Sequence, residues 1–370
     1  MPDLAVTVEQ CLAPVPGGAG RYAREITTAL AARPRPGWTV RTISAWHRDV
    51  TAAVIAGADG PHRLPAGHRA LSELWRRGLP PAVRAQRVHA TTPLAPLWRR
   101  ERRGGLVGTV FDAVPWTHPE TLTPRGVAWH RDIIGRTMAT AQAVVVLAEA
   151  VADDLAGLFP AASDRIVVIP PGVTPLPPPP DAPKRRRRWQ LPDRYVLSVA
   201  TLEPRKGLDV LVRALAEPVA AGAHLVVVGS PGWGGVDLPT AAAAAGLPPD
   251  RVHVLGRITD DDLAAVMQGA AVLAAPSRSE GFGLPVLEAM AAGLPVICSD
   301  APALVELTAG SAVVVRRDDV GGLAQAISDV LHDDELAAEL SARGTARAAP
   351  FRWDTAAAAI WDLHERLGHR

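Results

Sequence analysis

The amino-acid sequence predicts two doubly wound α/β domains in tandem, and three observations carry that expectation. Short, continuously apolar runs alternate with helical stretches, first between residues 4 and 169 and again from residue 195 onward. Runs of this kind, separated by helices, indicate parallel strands covered on both faces. A proline-dense stretch, Pro170–Pro183 (PPGVTPLPPPPDAP), divides the two series. The length of 370 residues also exceeds what a single core usually organises.

In the first series the strands are expected at Leu4–Val8, Thr39–Ser44, Arg87–Ala90, Leu106–Phe111, Ala143–Leu147 and Ile166–Ile169. Helical patterns fall between them at Arg21–Ala32, Gly126–Thr140 and Ala150–Leu158. Residues 1–173 therefore read as one domain. Proline at the density of residues 170–183 suits neither a helix nor a central strand. Residues 174–190 thus read as a stiff linker that closes with the basic run Lys184–Arg188.

The second domain, residues 191–350, repeats the alternation. Strands are expected at Tyr195–Ala200, His224–Gly229, Arg251–Leu255, Ala271–Ala275 and Leu294–Ser299. Helices are expected at Leu208–Ala216, Asp260–Gly269 and Pro285–Ala292. Trp353–Leu367, with Asp354 as its cap, reads as a closing helix. Such sheets bind ligands beyond the carboxyl ends of their strands, so a cleft between the two domains is the expected site.

Composition narrows the function classes. Hydrophobic content of 48% and charged content of 21% are those of a globular chain. Arg outnumbers Asp and Glu 20 to 14 in residues 1–175, whereas the remainder is net acidic. A basic first half suits an anionic acceptor or a membrane face, and equally an Arg-rich solvated surface. The Arg runs lack aromatic interleaving, so a nucleic-acid partner is not expected. Cys11 and Cys298 are the only cysteines, far apart and without metal-ligand spacing, which favours a reducing compartment over a disulfide framework or a zinc site. MPDLAVTVEQ has no basic, then apolar, leader pattern, and no apolar run reaches about 18 residues. A cytoplasmic protein is expected, with peripheral contact at the inner membrane face left open.

The most informative segment is Ser277–Asp300, SRSEGFGLPVLEAMAAGLPVICSD, just after a strand. Gly281 and Gly283 let backbone approach a ligand, and Pro285 suits the first turn of the following helix. Amides and the helix dipole there favour a negative group. Glu280 and Glu288 add acceptor-only carboxylates suited to a hydroxyl-rich ligand. A second cluster, Glu203-Pro204-Arg205-Lys206-Gly207, also follows a strand, where cations meet phosphate. Lys206 and Lys184 are the only lysines among 39 basic residues, so Lys206 reads as a retained point charge.

With these motifs the chain resembles the retaining glycosyltransferase family 4 of the GT-B fold, mannosyltransferase-like members included. The resemblance rests on EGFGLPVLEAMAAGLPV, on EPRKG at Glu203–Gly207, on IPPGV at Ile169–Val173 and on VGS at Val228–Ser230. It implies two Rossmann-like domains facing a central cleft, with residues 351–370 returning to the first. It implies further that Arg205 and Lys206 bind the donor diphosphate, that Glu280 contacts the donor sugar, and that Glu288 holds the ribose. The amides of Gly281, Phe282, Gly283 and Leu284 would surround sugar and phosphate. Gly229 would line the donor site, and Arg257 and Ile258 would lie along the base. Gly17 and Gly18, in PGGAGRY, would close over the phosphates from the first domain.

One departure concerns the segment TVFDAVPWTHPE, Thr109–Glu120. Family members often carry His-Asp where this chain has Phe111-Asp112. His118 lies beyond Pro115 and reads as a surface or packing residue. Asp112 either orients an acceptor hydroxyl or caps the turn after its strand. The expected activity is transfer of a hexose, retaining its anomeric configuration, from GDP-mannose or a UDP-sugar to a saccharide or lipid-linked acceptor. No cofactor is expected, and nothing visible requires a metal. A sugar-nucleotide epimerase or hydrolase, or a sugar-nucleotide-binding protein without turnover, would use the same donor motifs.

Overall fold

The computed structural model describes residues 1–97, 105–232 and 234–368. The chain divides into two compact units. The first comprises residues 1–119, 124–172 and the C-terminal segment from 351, and the second comprises residues 120–123 and 173–350. His369 and Arg370 of the expected C-terminal segment lie outside the described residues.

In chain order the first unit holds β1 (Asp3–Thr7), α1 (Gly17–Ala32), β2 (Thr39–Ser44), β3 (Asp59–Arg63), α2 (His68–Arg76), β4 (Arg87–Ala90), β5 (Leu106–Thr109), α3 (Val114–Thr117), α4 (Pro124–Thr140), β6 (Ala143–Val146), α5 (Glu149–Leu158) and β7 (Ile166–Val168). The second holds α6 (Ala182–Arg188), β8 (Val196–Val199), α7 (Leu208–Ala216), β9 (Leu225–Val228), α8 (Leu238–Ala244), β10 (Val252–Gly256), α9 (Asp260–Gly269), β11 (Val272–Ala275), α10 (Leu284–Ala291), β12 (Val296–Ser299), α11 (Pro302–Thr308), β13 (Val313–Val315), α12 (Val320–His332) and α13 (Asp334–Ala348). The chain then returns to the first unit as α14 (Trp353–Gly368).

Each unit is built on a parallel sheet. The first has the order β3-β2-β1-β4-β5-β6-β7 and the second β10-β9-β8-β11-β12-β13. Central strands such as AVVV in β6 and LVVV in β9 are buried along their whole length, as strands covered on both faces must be. Helix starts in the second unit carry side-chain caps: Thr259 accepts from the Asp262 amide, Asp319 from Gly322, and Asp333 from Leu336.

Three boundaries differ from the sequence expectation. The helix expected from Arg21 begins at Gly17, so Gly17 and Gly18 form its first turn rather than a loop. Residues 174–190 are not all linker. Ala182–Arg188 form α6, which packs on α9 within the second unit. Arg185 pairs with Asp181 and Asp262, Arg188 with Asp262, and Arg186 donates to Gln268, so the basic run docks this helix on α9. Residues 120–123, expected in the first domain, group with the second unit.

Helix α14 packs against α1 in the first unit. Trp361 meets Trp38 edge to face at 5.8 Å, and the His364 ring meets His89 of β4 at 5.6 Å. Both imidazoles are fully buried, and none of their ring nitrogens has a hydrogen-bond partner among the described residues. Burial depresses both, His89 to about 4 and His364 well below its ordinary value. The folded state therefore keeps them neutral while the unfolded chain takes up protons below about pH 6.5. Their stability contribution is fully present above that pH and is lost as pH falls toward 4. For His89 alone the loss is about 3 kcal/mol. Urea unfolding from pH 7.5 to 4.5 should show this decline, and His89→Leu should flatten it. An unchanged slope in that variant would contradict the assignment.

Candidate functional site

In the second sheet the strand order reverses between β8 and β11, which pair through Val196–Val272 and Leu197–Leu273. Open α/β sheets bind ligands outside the carboxyl ends of strands at such a switch point. Two loops leave there: residues 200–207 after β8, and residues 276–283 after β11. They bring together side chains more than 70 positions apart. A pocket at this edge is lined by Ser198, Ala200, Lys206, Ser277, Glu280 and Gly283 among others.

The charges converge on Glu280, whose side chain is 12% exposed. Its Oε1 accepts from Lys206 Nζ at 2.7 Å and from Ser277 Oγ at 2.7 Å. Its Oε2 lies 3.6 Å from Arg205 Nη1. Burial alone would push the Glu280 carboxyl up, but the charges of Lys206 and Arg205 and the two hydrogen bonds hold it below the usual carboxylate range. Arg205 is oriented in turn, donating to the Ser279 carbonyl at 3.0 Å and to Glu203 at 2.8 Å. The result is two cations, Lys206 and Arg205, and two carboxylates, Glu280 and Glu203, largely screened from water at the mouth of a sheet.

Two features that sequence reasoning missed hold these loops together. Arg278 reaches across from the second loop, donating to both carboxylate oxygens of Asp209 at 2.9 Å and to the Pro204 carbonyl at 2.6 Å. Its own amide donates to the Arg205 carbonyl at 2.8 Å. The bidentate Arg–Asp geometry is visible only once the fold juxtaposes residues 69 positions apart. Gly207 stands in the left-handed region at φ +66°, and a Cβ there would sit 2.1 Å from the Pro276 carbonyl oxygen. The two loops approach closely because this position lacks a side chain.

Helix α10 opens on Gly283, at φ +98°, with Pro285 in its first turn. Gly281, Phe282, Gly283 and Leu284 thus form the approach to a helix N-terminus that adjoins Glu280. Phe282 is buried. Glu288 is 7% exposed on the second turn of α10. Gly229 follows β9, where a Cβ would lie 1.8 Å from the Ala200 carbonyl oxygen, so packing against the strand-end loop requires glycine there. Arg257 and Ile258 follow β10 at the same carboxyl edge, Arg257 exposed and Ile258 half-buried.

The remaining predicted residues belong to the first unit. Gly17 and Gly18 are exposed at the start of α1. The strand expected to reach Phe111 ends at Thr109. Phe111 then packs edge to face on Tyr22, ring centres 5.4 Å apart, and Tyr22 also meets Trp353 at 6.0 Å. An aromatic cluster thus occupies the position where a polar ring is familiar. Asp112 Oδ1 accepts from the Val114 amide at 3.2 Å, a turn-capping contact at the start of α3. His118 bonds the neighbouring Thr117 hydroxyl at 3.0 Å. Among the described residues no helix is long and apolar enough to cross a membrane, and no group of three or more His, Cys, Asp or Glu is arranged to hold a metal ion.

Comparison with known proteins bears on this geometry. Residues 16–175 match the family model described as Glycosyltransferase Family 4, and residues 181–347 match that of Glycosyl transferases group 1. The chain is 29% identical over 258 residues to an O-antigen chain mannosyltransferase B of Escherichia coli, covering 67% of each chain. It is 34% identical over 255 residues to a D-inositol 3-phosphate glycosyltransferase of Salinispora arenicola, covering 63% of this chain and 57% of that protein's length. The structure of Anabaena HepE in complex with UDP-glucose superimposes with a TM-score of 0.74 over 98% of this chain and 99% of that one, at 20% identity, which speaks to fold alone. Two glycosyltransferase domains in this order, on two parallel α/β units, mark the chain as a glycosyltransferase of the GT-B fold.

Proposed function

We propose that the protein transfers a hexose from a nucleoside diphosphate sugar to an acceptor hydroxyl with retention of anomeric configuration. The observation that carries this reading is the Lys206–Glu280–Arg205 cluster at the switch point of the second sheet. Lys206 and Arg205 are placed to take the diphosphate, and Glu280 to accept hydrogen bonds from the hexose hydroxyls. Glu288 takes the ribose hydroxyls, and the start of α10 offers its dipole to the phosphate and sugar.

Transfer then proceeds on one face of the sugar. The bond from C1 to the diphosphate oxygen breaks as the acceptor oxygen bonds to C1. The acceptor proton passes to the departing diphosphate, and Lys206 and Arg205 stabilise the charge that develops there. This course asks for no protein base at Phe111, in keeping with the aromatic packing of that side chain. Asp112, which accepts from the Val114 amide in the turn before α3, serves the acceptor side by holding its loop.

The donor sugar follows less directly. The VFDAVPWTHPE segment and a relative named as a mannosyltransferase support GDP-mannose, whereas the fold neighbour crystallised with UDP-glucose supports a UDP-sugar. Thermal shifts with GDP, UDP and ADP separate these. One nucleoside diphosphate should raise Tm measurably at concentrations above its Kd, and Lys206→Ala should abolish the rise. A panel in which none stabilises the protein would overturn the donor-site reading.

A further inference from the structure

A second polar cluster lies wholly within the first unit, at the carboxyl ends of β1 and β2. Glu9 follows β1 and is 7% exposed. Its Oε1 meets two imidazole nitrogens, His47 Nε2 at 2.8 Å and His68 Nδ1 at 2.7 Å, while its Oε2 accepts from the Ala45 amide at 2.7 Å. His47 lies just past β2, and His68 is the first residue of α2. The two segments are tied by backbone bonds, Trp46 to the Ala66 carbonyl and Leu64 to the Ser44 carbonyl, each 2.8 Å. Beside them the Trp46 indole is 56% exposed, among the largest apolar groups the protein leaves in solvent.

The arrangement has a direction. One carboxylate oxygen consumes one nitrogen of each ring, which fixes both ring orientations. The opposite nitrogens, His47 Nδ1 and His68 Nε2, have no hydrogen-bond partner among the described residues. The His68 side chain is 56% exposed. Burial works against the ionised Glu9, yet the bonds from His68, His47 and Ala45 hold its carboxyl below the usual range, and the bond to Glu9 raises His68. Arg69 is the nearest further charge acting on His68.

We propose that Trp46, His47 and His68 form a binding site for a phosphorylated saccharide, with Glu9 as the residue that positions both imidazoles. Protonated at both nitrogens, each ring presents an outward N–H donor to the phosphate oxygens, a form that the bond to Glu9 favours at His68, and the flat indole face covers the apolar C–H face of a sugar ring. The location supports a ligand rather than a structural role, because the carboxyl edge of a parallel sheet is where open α/β units bind ligands. The Arg excess of the first half is in keeping with an anionic partner. Within the proposed function, the site would recognise the acceptor.

The probes are mannose 6-phosphate, mannose and inorganic phosphate, followed by saturation-transfer NMR on the full chain. Phosphatidylinositol vesicles test whether a phosphorylated polyol ring is taken from a lipid, here a cyclitol held through a phosphodiester. Mannose 6-phosphate or the vesicles should bind at least tenfold more tightly than mannose or phosphate alone. His68→Gln keeps a donor toward Glu9 while removing the outward nitrogen, and Trp46→Ala removes the platform. Each should weaken binding about tenfold, with nucleoside diphosphate binding and Tm unchanged. Binding of the phosphorylated probes that neither substitution alters, or no binding of either probe, would overturn the proposal. Because nucleoside diphosphate binding is measured in parallel, failure of the donor reading shows as a separate loss.

Discussion

Lys206→Ala is expected to lower kcat by about two to three orders of magnitude while the protein stays folded, because one preorganised charge is removed from the leaving diphosphate. The side chain lies 2.7 Å from Glu280, so the substitution also leaves that carboxylate with only Arg205 at 3.6 Å and the Ser277 hydroxyl. Lys206→Arg should recover only part of the rate. A guanidinium needs more room and spreads its charge, whereas the site is built for a compact ammonium. The check is steady-state turnover with the stabilising nucleotide's sugar conjugate. Near wild-type kcat in Lys206→Ala would remove the diphosphate assignment.

Gly207→Ala should damage stability and activity together. The residue is in the left-handed region, where a non-glycine residue costs about 1–3 kcal/mol. Its Cβ would also meet the Pro276 carbonyl oxygen at 2.1 Å, a backbone atom that cannot rotate away. A total of about 3 kcal/mol or more follows, a fall in Tm of roughly 6 °C or beyond for a unit this size. Gly246 provides the control: its φ is +74°, with nothing within 4 Å of a Cβ. Gly246→Ala should therefore carry the strain without the clash, at about 1 kcal/mol. Equal effects of the two substitutions would show that the loop approach at Pro276 is not what matters.

Much of this architecture was legible in the sequence because buried parallel strands write themselves as apolar runs. Thr39–Ser44 and Arg87–Ala90 were read to the residue, as were helices Leu208–Ala216 and Asp260–Gly269. The edge strand β3, Asp59–Arg63, was not: DGPHR has no apolar face, and its pairing with β2 comes from tertiary context. Helices α12 and α13 display Asp319 and Asp333 as caps, but their alanine-rich faces blur the helical period. α6 was concealed behind a proline run and a string of cations whose acidic partner, Asp262, lies more than 70 positions away.

The same distinction runs through the site. Arg205, Lys206 and Glu280 stood out because each follows a strand end in a motif, and the fold brings them together at one switch point. Arg278 sat inside a quoted motif, yet its role depends on Asp209, which no local pattern connects to it. Glu9, His47 and His68 are spread over 59 positions and share no motif at all. Phe111 was recognised as a departure, but its reason, the ring of Tyr22, appears only in the packing.

The most direct test of the central claim is an NMR assay of wild-type protein with GDP-mannose and UDP-sugars, each offered with simple saccharide acceptors. The account predicts that one donor yields a new glycoside with the donor's anomeric configuration, with nucleoside diphosphate released in equal amount. Release of free hexose alone from every donor, or a product of inverted configuration, would contradict it.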